Sequence, residues 1–294
     1  MHKRYDSLGT TQPLVTVVIT NYNYGRFIAR AIESVQTQDY QNLEILVADD
    51  ASTDNSVAIV KELSRIDPRL RLISQVSNVG LARNKQSACH QASGAFLTFL
   101  DADDYLCSVS KVSAEVELIL NYERETGSTC VAYSGRRTII NGQPKQTEPS
   151  RVEHASGNIF MGLITRELSQ IPRDFTLRSE SFWESGGFDE TSVLYVDWVL
   201  KIRLASRLPF FPTGVEGIAY VKHDGAMSSV GWEQHRKAIW RAYWSHRKLI
   251  PRGKQRWDAD LLMWNKFGNK RALDIIYRRL LRVRNFVHPR YGPG

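Results

Sequence analysis

The sequence lacks several features that would assign it at once to a common protein class. No apolar run reaches the ~18 residues that a membrane-spanning helix requires. The three cysteines, Cys89, Cys107 and Cys130, are scattered and form no CxxC spacing, which predicts reduced thiols and no zinc site. Residues 1–13 are polar and contain no apolar core of a secretory signal peptide. These absences favour a cytoplasmic protein.

The glycine-rich loops that usually hold nucleotide phosphates are also missing. No GxGxxG motif follows the first apolar run, and no GxxxxGK[ST] motif occurs anywhere in the chain. A nucleotide bound to this protein would therefore need other groups around its phosphates, such as carboxylates with a metal ion.

What is present is an ordinary globular composition with an uneven charge. A chain of 294 residues, 42% hydrophobic and 24% charged, can form one large domain with an appendage or two modest domains. From Gly225 onward there are 16 Lys and Arg against 4 Asp and Glu, and the same tail holds five of the seven tryptophans. The net charge of +8 is therefore a property of the tail.

Up to residue 105 the sequence alternates between strand and helix patterns. Near-continuous β-branched runs predict buried strands of a parallel sheet, and apolar residues at helical spacing predict helices between them. The predicted strands are 14–20, 43–48, 70–74 and 95–100, and the predicted helices are 26–36, 56–65 and 81–92. This order implies a doubly wound α/β sheet with right-handed crossovers, whose strands end at one ligand-binding edge.

The strand that ends at Leu100 opens into three carboxylates, Asp101, Asp103 and Asp104. Such crowding is unfavourable unless a cation neutralises the charge, and oxygen ligands suit Mg²⁺ or Mn²⁺. In an extended segment Asp101 and Asp103 would point the same way and Asp104 elsewhere. A solvated turn is the competing interpretation.

Polar residues at the other loops of this edge suit a base, a ribose and phosphates. The candidates are Thr20, Asn21 and Tyr22 after the first strand, Asp49 and Asp50 after the second, and Arg83 at a helix start. A carboxylate can accept a hydrogen bond from a base N–H, and a planar guanidinium can bind a phosphate. For the first loop, a turn with Asx hydrogen bonds is the structural alternative.

Three motifs in this order resemble the nucleotide-sugar domain of GT-A glycosyltransferases of family 2. They are VTVVITNYNYGRFIARAIESVQTQDYQNLEILVADDASTDNS, NVGLARN and GAFLTFLDADDYL. The resemblance is strong over 15–105 and continues more weakly, through GGFDE at 186–190 and VDW at 196–198, to His223.

The resemblance implies a fold and a division of the chain. The expected fold is α/β of the GT-A type, a Rossmann-like nucleotide-binding sheet fused to a smaller acceptor subdomain, followed by a helical basic extension. The expected parts are a tail at 1–12, a nucleotide-sugar half at 13–105, an acceptor half at 106–224, and a basic aromatic helical region at 225–294.

The resemblance also implies roles on the donor side. Thr20 and Tyr22 would cradle the uridine of a UDP-sugar, Asp50 would contact the base, and Arg83 would reach base or phosphate. Asp101 and Asp103 correspond to the DxD motif that holds a metal ion on the diphosphate, with Asp103 as a direct ligand. Asp104 would orient the sugar. His223 would contact metal or diphosphate, although a lone histidine is often structural.

On the acceptor side, the resemblance makes Asp197 the candidate general base of an inverting transfer. The base takes the proton of the attacking hydroxyl group. A Glu-Asp pair commonly stands at this position in the family, whereas this chain has Val196 in place of the Glu. A helix N-cap is the structural alternative for Asp197.

The remaining segments are less informative about chemistry. Strands at 131–133 and 137–140 and a turn at Asn141-Gly142 predict a hairpin. In the tail, helical spacing at 232–250 and 271–287 predicts two basic, aromatic helices. They suit either the surface of an anionic membrane or a helical cap with a solvated basic face.

Together these features predict a metal-dependent inverting glycosyltransferase that uses Mn²⁺ or Mg²⁺. The donor would be a UDP-sugar, with GDP- and dTDP-sugars less favoured, and the acceptor a glycan or lipid-linked glycan, as in surface polysaccharide or lipopolysaccharide assembly. The alternative is a catalytically weak GT-A domain that binds nucleotide-sugar or protein. Location would be cytoplasmic, with peripheral contact on the inner face of the membrane as a hypothesis. No motif supports binding to nucleic acid.

Overall fold

The computed structural model describes residues 12–140, 143–144, 155–168, 171–223 and 231–268. The chain divides into two units, Met1–Val230 and Gly231–Gly294. The first unit is built on one mixed sheet, and the second consists of helices in the range that is described.

Four parallel strands and three helices form the amino-terminal half of the sheet. The strands are β1 Val15–Asn21, β2 Leu43–Asp49, β3 Leu70–Ser74 and β4 Phe96–Asp101, and the helices are α1 Ile28–Gln36, α2 Ser56–Ile66 and α3 Leu81–His90. The strand order is β3-β2-β1-β4. All seven residues of β1 are buried, as expected for a strand covered on both faces. This half confirms the predicted doubly wound sheet.

The other half continues the sheet with antiparallel and parallel pairs. Its strands are β5 Tyr105–Leu106, β6 Val131–Ile140, β7 Gln143–Pro144, β8 Thr176–Arg178 and β9 Phe210–Lys222, and its helices are α4 Lys111–Thr126, α5 Phe160–Ile164, α6 Ser179–Glu184 and α7 Val196–Ala205. The order is β4-β8-β6-β9-β5, with β7 paired to β6. The predicted hairpin forms through β6 and β7, while Asn141 and Gly142 lie outside the described residues. β6 is one strand with an irregular register near Gly135, where two short strands were predicted.

A buried ion pair in α4 contacts two strands of this sheet. Lys111 Nζ is 2.9 Å from Glu115 Oε2 and donates to Thr98 Oγ1 at 2.7 Å, and both charged side chains are fully buried. Thr176 Oγ1 donates to the same carboxylate at 2.5 Å. Burial raises the pKa of Glu115, and the Lys111 ammonium opposes that shift. These contacts connect α4 to β4 and β8.

The second unit contains α8 Trp232–His246, a 3-10 turn at Arg247–Leu249, and α9 Lys254–Phe267. Tyr243 donates to Asp260 Oδ1 at 2.6 Å, which links the two helices. α8 is shorter than the predicted 232–250 helix, α9 was not predicted, and the predicted helix at 271–287 lies outside the described residues. Across the described ranges, no helix combines the length and the hydrophobicity needed to cross a membrane.

Candidate active site

The register of the parallel strands brings the predicted polar loops together. Thr20 on β1 lies opposite Asp101 on β4, and its hydroxyl donates to Asp101 Oδ1 at 2.8 Å. Asn21 lies opposite Asp49 on β2, and its amide donates to Asp49 Oδ1 at 2.7 Å. The carboxyl ends of β1, β2 and β4 therefore form one polar edge, where open α/β sheets bind ligands.

The three aspartates after β4 form one cluster. Each of Asp101, Asp103 and Asp104 offers a carboxylate oxygen within 4.8 Å of the others. The expectation that Asp104 points elsewhere is wrong, because the chain turns after β4 instead of staying extended: the Asp104 amide donates to the Asp101 carbonyl at 3.0 Å. The turn directs all three side chains toward a common point.

Asp101 is held by two cations and a hydroxyl group. Lys85 Nζ is 3.1 Å from Oδ1, Arg173 Nε is 3.0 Å from Oδ2, and Thr20 donates to Oδ1. Burial alone would raise the pKa of Asp101, but Arg173 and Lys85 outweigh it and hold the pKa well below its usual range. Asp101 is therefore an ionised carboxylate with its oxygens already engaged.

Asp104 is in a different electrostatic environment. Its Oδ2 contacts the Arg173 guanidinium, and its Oδ1 accepts from the Val221 amide at 2.9 Å. Burial raises the pKa of Asp104 to about 8; Arg173 opposes the shift, and the nearby carboxylate of Asp103 adds to it. The carboxyl group predicted to orient a sugar is thus almost fully buried and bonded to the protein.

Lys85 connects the cluster to the candidate general base. Its Nζ is 2.8 Å from Asp197 Oδ1 as well as 3.1 Å from Asp101 Oδ1, and the side chain is 1% exposed. Burial would lower the pKa of Lys85, but the two carboxylates outweigh it and raise the pKa above its usual range. One buried ammonium group therefore joins α3, the end of β4 and the first turn of α7.

Asp197 is the second residue of α7, and the N-cap position belongs to Tyr195. The carboxylate of Asp197 faces Lys85, so the helix-cap alternative does not describe its contacts. Val196 is 1% exposed and packs as an apolar residue where the Glu of the usual pair would stand. The described part of this site thus offers a single carboxylate at the start of α7.

His223 lies directly after β9, against the acidic cluster. Its Nε2 is 3.1 Å from Asp103 Oδ2, and its ring centroid is 4.9 Å from that of Phe27 and 5.6 Å from that of Tyr24. Burial and the charges of Asp103 and Asp101 raise the pKa of Tyr24 well above its usual value. Asp103 and His223, predicted from distant parts of the chain, are brought together.

The other predicted nucleotide contacts are engaged by the protein or lie at the rim. Asp49 accepts from Asn21 and Ser52, and Asp50 accepts from the backbone amides of residues 79 and 80 at 2.7 and 2.9 Å. A base N–H would have to compete with these bonds. Tyr22 is 45% exposed. The Arg83 side chain is exposed, and its Nε is 3.7 Å from Glu190 Oε2.

The amino-terminal half of this chain matches a known family. Residues 16–160 match the family model described as glycosyl transferase family 2. The chain carries a family 2 glycosyltransferase domain. A curated relative from Campylobacter jejuni, GalNAc(5)-diNAcBac-PP-undecaprenol beta-1,3-glucosyltransferase, is 39% identical over 97 residues, which are 33% of this chain and 31% of that protein. The alignment with this relative thus spans about a third of the relative's length.

Solved structures establish the GT-A fold around the family 2 domain. A crystal structure of S. aureus TarS 1-349 in complex with UDP-GlcNAc aligns with a TM-score of 0.64 and 19% identity, over 86% of this chain and 71% of that one. The mannosyltransferase PcManGT from Pyrobaculum calidifontis, in complex with GDP-Man and Mn²⁺, aligns with a TM-score of 0.55 and 16% identity, over 87% of this chain and 70% of that one.

The donor set of the family 2 domain fits a divalent cation best at Asp103. Asp101 is already paired with Lys85 and Arg173, and Asp104 is paired with Arg173. Asp103 pairs instead with His223 and with the Tyr24 hydroxyl, and the described residues give its carboxylate no lysine or arginine partner. The three carboxylates lie within 4.8 Å of one another, and carboxylate oxygens are the ligands that Mn²⁺ and Mg²⁺ prefer.

Lys85 and Arg173 are the charged residues of this site that sequence reasoning missed. Lys85 lies within α3 between two other buried polar residues, and a lone lysine in a helix ordinarily indicates a solvated position. Arg173 lies in the segment before β8, outside any motif of the family 2 resemblance. No periodicity or spacing in the sequence marks either residue.

Proposed function

We propose that this chain transfers a sugar from a UDP-sugar to a hydroxyl group of a glycan or lipid-linked glycan, with inversion at the anomeric carbon. The observation that carries the proposal is the position of Lys85 Nζ, 3.1 Å from Asp101 Oδ1 and 2.8 Å from Asp197 Oδ1. The candidate diphosphate side and the candidate base thus lie on either side of one ammonium group. The sugar to be transferred would lie between them.

Asp197 would act as the general base. The attacking hydroxyl group must lose its proton as it bonds to the anomeric carbon. Lys85 orients the Asp197 carboxylate through Oδ1, and the side chain keeps 16% exposure toward solvent. Oδ2 is therefore the oxygen that would take the proton, and it would release the proton to solvent after the product departs.

Asp101, Asp103 and His223 would hold the metal-diphosphate end of the donor. A bound Mn²⁺ or Mg²⁺ would supply Lewis-acid charge for the departing diphosphate. Asp103 and His223 would contact the ion, and Asp101 would stay between Lys85 and Arg173. The nucleoside would lie among the side chains at the ends of β1 and β2 and the start of α3, namely Thr20, Asn21, Tyr22, Asp49, Asp50 and Arg83. Asp104 would line the buried side of the sugar pocket and help to orient the sugar.

The nature of the acceptor rests on the relative and on the second unit. The Campylobacter jejuni relative carries diNAcBac-PP-undecaprenol, a lipid-linked glycan, in its name. In this chain the described part of the second unit exposes Trp232 and Trp257 among basic residues, which suits peripheral contact with an anionic membrane on the cytoplasmic side. Both features favour an acceptor that is held at a membrane.

A catalytically weak binding module is the second candidate function. It is favoured by Val196, which leaves the start of α7 with one carboxylate, and by the ion pair that already engages that carboxylate. Such a module would bind nucleotide-sugar and transfer little or nothing. Transfer activity of the intact chain, measured against the Asp197 variant described below, separates the two candidates.

The donor half of the proposal is tested by calorimetric titration with UDP, GDP and dTDP, each with and without Mn²⁺. We expect UDP to bind most tightly and to require metal for full affinity. Asp103→Ala should lose the metal-dependent part, about tenfold or more in Kd, because a charged ligand to the ion is removed. Asp39→Ala, at an exposed position before β2, is the matched control.

Two results would count against this donor site. If no nucleotide binds in any condition, the glycosyltransferase and the nucleotide-sugar-binding module both fail, and a module that binds protein is the candidate left. If UDP binds but Asp103→Ala and Asp39→Ala behave alike, the acidic cluster is a structural turn and the nucleotide lies elsewhere.

A further inference from the structure

Arg173 is a charged residue that the proposed transfer has not used, although it lies against the acidic cluster. Its Nε is 3.0 Å from Asp101 Oδ2, and its guanidinium also contacts the Asp104 carboxylate. One arginine thus contacts both cluster carboxylates that lie on either side of Asp103 in the sequence. The side chain is 33% exposed, so a ligand at the cluster can reach it.

The position of Arg173 is fixed by contacts of its backbone, its side chain and the two residues before it. Its amide donates to the Tyr220 hydroxyl at 3.0 Å, and its guanidinium stacks 4.7 Å from the centroid of the Tyr220 ring. The carbonyl groups just before it, at residues 171 and 172, accept from Lys201 Nζ at 2.5 and 3.4 Å. Lys201 is 5% exposed and lies one helical turn after Asp197 on α7. Backbone and side chain are therefore both fixed before any ligand binds.

The hydrogen bonds of the Arg173 guanidinium are also incomplete. Its Nε is buried and, despite the short approach to Asp101, makes no well-aligned hydrogen bond within the described residues. A guanidinium presents five donors in a planar fork that matches phosphate oxygens. The N–H groups of Arg173 that the two carboxylates do not use are suited to bind an anion at the acidic cluster.

We propose that Arg173 is the resident counter-ion of the acidic cluster and becomes a diphosphate-binding residue when the donor arrives. Without donor, Arg173 offsets the charge of Asp101 and Asp104. With donor, the guanidinium donates from this fixed position to the phosphate oxygens and stabilises the negative charge that develops on the departing nucleoside diphosphate. The inference rests on the proposed function, because it takes the cluster to be the donor diphosphate site.

The charges around Arg173 predict that Arg173→Gln changes the affinities for Mn²⁺ and for UDP in opposite directions. Loss of a cation a few ångströms from the cluster leaves the carboxylates uncompensated, so Mn²⁺ alone should bind about tenfold more tightly. UDP in the presence of EDTA should bind about tenfold more weakly, because a charge-assisted fork is lost and the cluster repels the phosphates. A residue that only supports the fold would weaken both.

The experiment measures Mn²⁺ affinity without nucleotide and UDP affinity in EDTA for the full chain, by calorimetry, for wild type and three variants. Arg173→Gln is the test variant. Arg173→Lys keeps the charge without the planar fork, so it should keep the Mn²⁺ affinity of wild type and lose part of the UDP affinity. Arg71→Gln, which removes a half-exposed arginine from an ion pair with Glu44, should leave both affinities unchanged. Thermal unfolding of each variant checks that it folds.

Each outcome decides the matter. Tighter Mn²⁺ together with weaker UDP in Arg173→Gln supports the proposal. Equal affinities in wild type and Arg173→Gln, or a parallel loss of both affinities, overturn it.

If Arg173→Gln does not fold, Arg173→Lys decides alone, and a wild-type UDP affinity in that variant overturns the role of the planar guanidinium. If wild type binds UDP with metal but Arg173→Gln changes nothing, this inference fails alone. If wild type binds no nucleotide at all, the proposed function fails with it.

Discussion

Asp197 and Lys85 are the residues on which the chemistry of this site depends most directly. They are 112 positions apart in the chain and 2.8 Å apart in space. The ammonium of Lys85 is shared with Asp101, so a change at either carboxylate alters the environment of the other. Substitutions at these two positions therefore separate chemistry from binding.

Asp197→Asn should reduce transfer by roughly 10² to 10⁴ in kcat and leave UDP binding unchanged. The amide keeps the size of the side chain and an acceptor oxygen for Lys85, but it cannot take a proton from the acceptor. Turnover is measured by release of UDP in the presence of acceptor, and binding by calorimetry. Glu62→Gln, at an exposed position of α2, serves as control. Equal turnover in wild type and Asp197→Asn would exclude Asp197 as the base.

Lys85→Met should impair both stability and transfer. The methionine fills the volume but leaves two carboxylates beside an apolar group, which costs about 2 to 4 kcal/mol in the free energy of unfolding after allowance for their partial exposure. Transfer should fall more than UDP affinity, because Asp197 loses the partner that orients it. Urea unfolding and transfer assays measure the two effects. Lys61→Met, on the exposed face of α2, is the control. Wild-type transfer by Lys85→Met would show that the contacts of Lys85 with Asp101 and Asp197 are dispensable.

At the scale of elements, Asp67 shows how the sheet and its helices are joined by local charge. It follows α2 and accepts from the Arg69 amide at 3.0 Å and from Arg69 Nη2 at 2.8 Å, just before β3. It also accepts from Gln36 at the end of α1 at 2.9 Å. Hydrogen bonds from Arg69 lower the pKa of Asp67 to about 2, although burial opposes the shift.

The lowered pKa of Asp67 predicts a pH dependence of stability. An unfolded aspartate titrates near pH 3.9, so the folded state binds the proton less readily. The stabilisation is complete above about pH 5 and is lost as pH falls toward 2, with about 1 kcal/mol already lost at pH 3. Urea unfolding at pH 6 and pH 3 should therefore show a smaller loss for Asp67→Asn than for wild type. Asp258→Asn, at an exposed position, should lose as much as wild type, and equal losses in all three would contradict the assignment.

At the scale of the whole molecule, charge and exposed aromatic residues are concentrated in the second unit. Its described range exposes Trp232, Trp257 and Leu261 by 62%, 65% and 58%. Nine Lys and Arg stand against three Asp and Glu between residues 231 and 268. Aromatic and cationic groups together favour the interface of an anionic membrane.

Flotation with vesicles tests this contact on the full chain. Wild type should float with vesicles that contain anionic lipid, and recovery should fall as salt screens the charges. Replacing Trp232, Trp257 and Leu261 by Ser should lower recovery by about fivefold or more, because their apolar surface no longer enters the interface. Ile66→Ser with Val76→Ser, at two exposed apolar positions of the first unit, is the matched control. Equal recovery of all three proteins would exclude a role for these side chains.

The amino-acid sequence by itself determined the elements of the nucleotide-sugar half and the edge at which its ligand site lies. Runs such as 15–21 and 96–101 are mainly apolar and end in polar residues. This pattern involves only neighbours along the chain, so it can be recognised without the tertiary structure. The strand ends at Thr20 and Asp101 could be expected to meet because parallel strands share one carboxyl edge.

Only the tertiary structure decided which charges meet at that edge. Lys85, Arg173 and Lys201 have no signature in the sequence, since their partners lie 16 to 112 residues away or are backbone carbonyl groups. The direction of Asp104 also depended on a turn that an extended-strand pattern does not reveal. Hydrophobic periodicity is a property of neighbours along the chain, whereas the compensation of buried charge is a property of neighbours in space. For that reason the fold could be predicted from the sequence, and the ion pairs that prepare its candidate site could not.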